Sequence, residues 1–197
     1  MFRSLKLSSR QVALISTFIA IGAAVRIVVD QVGDMVPTPV FSVVIKIGLS
    51  ETLSFVSGFV YGPVIGFITG FLIILLSDIA SPSGAGAWTP FIASIIGLLG
   101  ICAGIIRRVR PRPSPLMMIT SAVGLTLLSE SLQNIWVAMF YNAPVIATML
   151  YGLPSLVTAA VNNTVLFPTV GTKAIEFLQQ HHLDDSKPWK NPANSQK

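Results

Sequence analysis

The chain has 197 residues, of which 52% are hydrophobic and only 11% charged, and its mean hydropathy is +0.74. That much apolar surface cannot be hidden inside one soluble domain, so the composition is that of a membrane protein. The net charge of +5, which in a soluble chain would suggest nucleic acid, is explained here by membrane orientation and contact with anionic lipid, with no nucleic-acid partner.

A helix of roughly 20 residues crosses the ~30 Å hydrocarbon layer. Apolar runs of that length predict six spans: Gln11 to Val29, Phe41 to Val60, Pro63 to Ile79, Thr89 to Ile106, Leu116 to Phe140, and Leu150 to Val170. The expected fold is therefore all-α: a six-helix polytopic membrane bundle over residues 1–170, then a cytoplasmic tail, 171–197, whose prolines and mixed charges predict disorder over most of its length.

Arg3, Lys6 and Arg10 precede the first run, which is as long as a full span and ends in Arg26 and Asp30 rather than in a small-residue cleavage site, so it reads as a helix and not as a signal peptide. Arg26 and Asp30 stand one turn apart and can pair. Ser16, Ala20 and Ala24 repeat every four residues, giving a smooth strip that a second helix can approach, either within the bundle or from an external partner.

On the second span Lys46 can snorkel to the interface, whereas Glu51 lies deeper. Ser50, Ser54, Ser57 and Tyr61 form a polar stripe at helical spacing, so this helix is expected to face protein. Tyr61-Gly62-Pro63 leaves room only for a tight turn, with proline at a first helical position that needs no N–H. Gly62, Gly66 and Gly70 on the third span, and Gly100 and Gly104 on the fourth, are further small-residue strips. Between these two spans Trp88 is either an interfacial anchor or a flat lid over a ligand.

The fifth span carries Glu130, Gln133 and Asn134 at i, i+3 and i+4, with Val137 and Tyr141 continuing the face toward Asn142. A carboxylate and two amides on one face suit recognition of a polar heterocycle. On the sixth, Gly152 and Pro154 mark a kink or a later start after a re-entrant loop. Asn162, Asn163 and Thr164 match a glycosylation sequon, but inside an apolar run they read as buried hydrogen-bonding groups.

Eleven of the thirteen Lys and Arg residues flank these spans: Arg3, Lys6 and Arg10; Arg107, Arg108, Arg110 and Arg112; Lys173, Lys187, Lys190 and Lys197. With six spans all eleven fall on one side, which predicts a plasma-membrane protein with both termini cytoplasmic. The single cysteine, Cys102, excludes a disulfide framework, and the only histidines, His181 and His182, lie in the tail. No metal site, cofactor or catalytic set is expected. An intramembrane enzyme would need clustered Asp, His or an activated nucleophile, while a proton-coupled carrier or channel would use Glu51 and Glu130.

The segment Gly58-Phe59-Val60-Tyr61-Gly62-Pro63-Val64-Ile65-Gly66-Phe67-Ile68-Thr69-Gly70, followed by Asp78, together with Ala20-Ile21-Gly22-Ala23-Ala24 in the first helix, resembles the GxxxGPxxGxxxG…D hairpin and AxxxA motif of the substrate-binding S components of energy-coupling factor (ECF) vitamin transporters. The resemblance implies a high-affinity capture subunit for a water-soluble vitamin, with a pocket near the outer face. Transposed onto this sequence, the pocket uses Trp88, Glu130, Gln133, Asn134, Trp136 and Asn142, and loops Gln31 to Val40 and Ala80 to Thr89 close it. It further implies that Ser16, Ala20 and Ala24 dock on a transmembrane coupling (T) subunit carrying two ATPase subunits. The chain has no Walker A motif, in keeping with energy supplied by partners. It also lacks the sixth-span arginine of the folate-type members.

Overall fold

A computed structural model of the chain describes residues 8–35, 48–82 and 84–180. The described residues form helices joined by short turns, with no strand. In chain order these are α1 (Ser9–Met35), α2 (Leu49–Tyr61), α3 (Pro63–Ala80), α4 (Thr89–Val109), α5 (Pro115–Phe140), α6 (Val145–Leu166), a π-helical turn (Phe167–Gly171) and α7 (Thr172–Gln180). Five stretches are long and apolar enough to cross a membrane: the Ser9–Val29 part of α1, then α3, α4, α5, and the continuous Val145–Gln180 rod. The second expected span is described only from Gly48 onward; Lys46 and the start at Phe41 lie outside the described residues.

Local chemistry explains the starts of α1, α3 and α5. Ser8 and Gln11 form a reciprocal capping box, the Ser8 N–H donating to Gln11 Oε1 at 2.8 Å and the Gln11 N–H to Ser8 Oγ at 3.3 Å. Ser114 caps α5 by accepting from the Met117 N–H at 3.3 Å, with Pro115 in the first turn. Gly62, at φ 99°, makes the reversal between α2 and α3, a backbone conformation that favours glycine.

Two boundaries differ from the sequence expectation. α1 runs to Met35, so the first half of the expected Gln31 to Val40 loop is helical, and residues 36–40 lie outside the described set. The last helix starts at Val145 and passes through Pro154 without a re-entrant loop, then continues ten residues beyond the expected end at Val170. Pro168 has no N–H for the Thr164 carbonyl, and its ring crowds that position. The helix responds by widening, so that the Thr172 N–H donates to Phe167 O, five residues back. Beyond this turn Ile175 and Leu178 are buried, which ties α7 into the bundle; residues 181–197 are not described.

The core centres on α2, every residue of which from Thr52 to Tyr61 is buried. Phe55 stacks on Phe59 and meets Phe167 at a tilt, with centroids 6.0 Å and 4.9 Å apart. α2, α3 and α4 meet where Gly58, Gly66 and Gly100 leave backbone against backbone: a methyl group at Gly66 would stand 2.4 Å from Gly58 Cα and 2.7 Å from the Gly100 carbonyl oxygen. Ser54 Oγ bridges the three helices, lying 2.9 Å from Ile96 O and 3.3 Å from Gly66 O. Arg107 on α4 closes the C-terminal end of α2, donating to the carbonyls of Phe59, at 2.8 Å, and Val60. The guanidinium thus satisfies orphan carbonyls at the negative end of the helix dipole.

α1 packs through Ile15, Ile19 and Ala23, with Gly22 against Ile73 of α3. Val28, Ile79, Ile105, Leu116, Ile146 and Val161 point outward, each at least half exposed. Such a surface suits hydrocarbon rather than water. The bundle has a basic end, marked by Arg107 to Arg112, and an aromatic end, marked by Trp88, Phe91, Trp136, Phe140 and Tyr141. α5 pairs closely with α6 but meets α4 far less, and that looser seam opens at the aromatic end.

Candidate ligand-binding site

The half of α5 nearest the aromatic end carries the site. Glu130 is only 4% exposed, and its Oε2 accepts a hydrogen bond from Ser155 Oγ of α6 at 3.1 Å, so the carboxylate is held on the α5–α6 seam. One turn further, Asn134 Nδ2 donates to the Glu130 carbonyl at 2.9 Å, and Gln133 Nε2 donates to the Ser129 carbonyl at 3.3 Å. Each contact uses one amide donor. A primary amide has a second donor and a two-lone-pair oxygen to offer a ligand.

Two clefts flank this helix at the aromatic end. The larger, of about 380 Å³, lies between α5 and α6 and is lined by Asn134, Val137, Tyr141, Thr148, Tyr151 and Gly152. The smaller, of about 210 Å³, lies between α4 and α5 and is lined by Trp88, Ile92, Gln133, Trp136, Val137 and Tyr141. Val137 and Tyr141 are the wall they share. Gly152 leaves room for the Asn134 amide: a methyl group there would stand 2.4 Å from Asn134 Nδ2. Trp136 is stacked between Phe91 and Phe140, with centroids 5.3 Å and 4.9 Å away, which fixes one face of the smaller cleft.

The structure distributes the ligand residues expected from sequence over two clefts, and Glu130 lines neither of them. Trp88, Gln133 and Trp136 share one cleft, Asn134 opens into the other, and Glu130 lies one turn below Asn134. Asn142 stands apart. It takes a left-handed conformation, φ 51°, after the last turn of α5, and the next N–H, of Ala143, donates back to Ala138 O at 2.9 Å. This is a Schellman-type helix end, a backbone role that asparagine tolerates. The structure adds Thr148, Tyr151 and Gly152 of α6, which line the larger cleft, and Ser155, which holds Glu130. The four stand at i, i+3, i+4 and i+7, one helical face, which is the only spacing signal the sequence offers for them.

Asp78 is buried at the aromatic end of α3, 6% exposed. Its Oδ2 accepts from Thr89 Oγ1 at 2.6 Å, and its Oδ1 lies 3.4 Å from Arg26 Nη2 of α1. Arg26 thus reaches across to α3. Asn163 takes the buried hydrogen-bonding role expected of it, donating from Nδ2 to Thr126 Oγ1 at 2.9 Å. On α1, Ser16, Ala20 and Ala24 are all exposed, so in this chain the strip is not an internal seam. Among the described residues no three His, Cys, Asp or Glu side chains gather in a way that would hold a metal ion.

A family model described as "ECF-type riboflavin transporter, S component" matches residues 6–175, which takes in every helix from α1 through the π-helical turn. No curated protein and no solved structure shows a significant match to the chain.

Proposed function

Because the chain belongs to the family of ECF-type riboflavin transporter S components, we propose that it is the capture subunit of an ECF importer and that its cargo is riboflavin. Membership in a transport family argues for binding and delivery rather than catalysis. The observation that carries the cargo assignment is the pair of clefts about α5, where Gln133 and Asn134 present amide edges beside Trp88, Trp136, Tyr141 and Tyr151. Riboflavin combines a flat tricyclic ring with a uracil-like edge of alternating carbonyl and N–H groups. Aromatic walls suit the first and side-chain amides the second.

In this reading the aromatic end faces outward, the basic end and both termini face the cytoplasm, and the chain crosses the membrane six times with α2 as part of the second span. The exposed Ser16, Ala20 and Ala24 face docks on a transmembrane coupling subunit bearing two ATPases, because small side chains let a second helix approach closely. The buried Glu130 serves the ligand, in company with Ser155, rather than a proton pathway.

Reconstitution tests this. Proteoliposomes holding the chain, the coupling subunit and both ATPases should accumulate riboflavin only with ATP, and those holding the chain alone should not. Uptake by the chain alone, driven by a proton gradient, would replace this reading with a self-sufficient carrier.

A further inference from the structure

Asp78 joins three elements through one carboxylate. Oδ1 faces the Arg26 guanidinium of α1 at 3.4 Å, and Oδ2 accepts a hydrogen bond from the Thr89 hydroxyl at 2.6 Å at the start of α4. The Thr89 oxygen in turn accepts the Gly86 N–H at 3.1 Å. Gly86 lies directly against the Trp88 ring, since a methyl group there would stand 2.4 Å from ring carbons. Trp88 walls the smaller cleft opposite Gln133 and Trp136. The buried carboxylate thus fixes the turn that carries the indole.

A buried ion pair is a weak source of net stability, because desolvation offsets much of the Coulomb attraction. Its effect here is directional: each oxygen is committed to a different helix, so the α3–α4 turn has one arrangement relative to α1. We propose that Asp78 is a positioning residue for the ligand site, holding Trp88 closed against the smaller cleft through Thr89 and Gly86, with Arg26 anchoring the carboxylate from α1. The proposal rests on the functional reading above for the identity of the ligand, but the placement of Trp88 is testable without it.

The test uses the purified full chain in detergent with Thr89→Val, Thr89→Ser, Asp78→Asn and Arg26→Gln variants. Iodide quenching of Trp88 emission, in a Trp136→Phe/Trp189→Phe background, reports the indole's exposure with no ligand added. Stopped-flow riboflavin fluorescence, in the native tryptophan background, reports release. Thr89→Val and Asp78→Asn should raise iodide access and speed release by about tenfold, the effect of one hydrogen bond, with association little changed. Arg26→Gln should move both in the same direction. Thr89→Ser, which keeps the hydroxyl, should match the parent in both. A residue that merely supports the fold would lower the unfolding midpoint without this split, so quenching and release that stay at parental values in Thr89→Val would overturn the proposal. If iodide access rises as expected while the parent protein fails to bind riboflavin, the positioning role stands and the cargo assignment falls.

Discussion

Substituting alanine for Gly58 places a methyl group 2.0 Å from the carbonyl oxygen of Gly100. The obstacle is backbone, which cannot rotate away. To bring that contact out to the 3.4 Å of ordinary packing, α2 and α4 must part by about 1.4 Å. The same seam holds the 2.9 Å bond from Ser54 to the Ile96 carbonyl and the 2.8 Å bond from Arg107 to the Phe59 carbonyl, neither of which survives such a shift intact. Overpacking of this kind costs about 1–3 kcal/mol, and a weakened buried hydrogen bond adds about 1 kcal/mol. The better helix propensity of alanine returns about 1 kcal/mol. The net expectation is a destabilisation of about 2 kcal/mol. Gly124 on α5 is the internal control, because a methyl group there meets nothing within 4 Å; Gly124→Ala should be neutral or slightly stabilising. Unfolding in mixed micelles at increasing SDS fraction, followed by tryptophan emission, measures both. Equal midpoints for Gly58→Ala and Gly124→Ala would refute the claim that these glycines set the distance between helices.

Other substitutions separate the parts of the account. Gly152→Ala pushes a methyl group to 2.4 Å from the Asn134 amide, the end of a movable side chain, so riboflavin affinity should fall about tenfold while the SDS midpoint stays close to that of the parent. Ala20→Trp, on the exposed face of α1, should abolish co-purification with the coupling subunit and leave riboflavin binding by the isolated chain intact; loss of binding would mean that the strip is needed inside the bundle. Arg107→Gln removes a charged donor from the Phe59 and Val60 carbonyls and should cost about 1.5–3 kcal/mol in the same micelle titration, an effect that an arginine serving only membrane orientation would not produce.

The third, fourth and fifth spans were legible to within a few residues because punctuation bounded them: Pro63 after Gly62, Thr89-Pro90, and Ser114-Pro115. The first helix outruns its apolar run because Asp30, Gln31 and Asp34 interrupt hydropathy without interrupting backbone hydrogen bonds. The last misled in another way. Gly152 and Pro154 read as a kink or a later start, yet neighbouring helices hold a spanning helix together around such residues, and further on a widened turn absorbs Pro168. The α5 face was readable from the i, i+3, i+4 spacing of Glu130, Gln133 and Asn134. Its α6 counterpart was not, because Thr148, Gly152 and Ser155 look like packing residues until α5 is placed beside them. Small-residue strips show the same limit. Gly58, Gly66 and Gly100 bury one another, whereas Ser16, Ala20 and Ala24 remain exposed, and a four-residue repeat alone does not say which partner each strip meets.

The most direct test of the central claim is a riboflavin titration of the purified chain, followed by quenching of flavin fluorescence as the ring enters the aromatic clefts. The account predicts saturable binding of one molecule per chain, weakened about tenfold or more by Asn134→Ala and Gln133→Ala and untouched by Gly124→Ala. Absence of binding by the parent protein would contradict the cargo. Full affinity retained in Asn134→Ala, Gln133→Ala and Glu130→Gln alike would contradict the site.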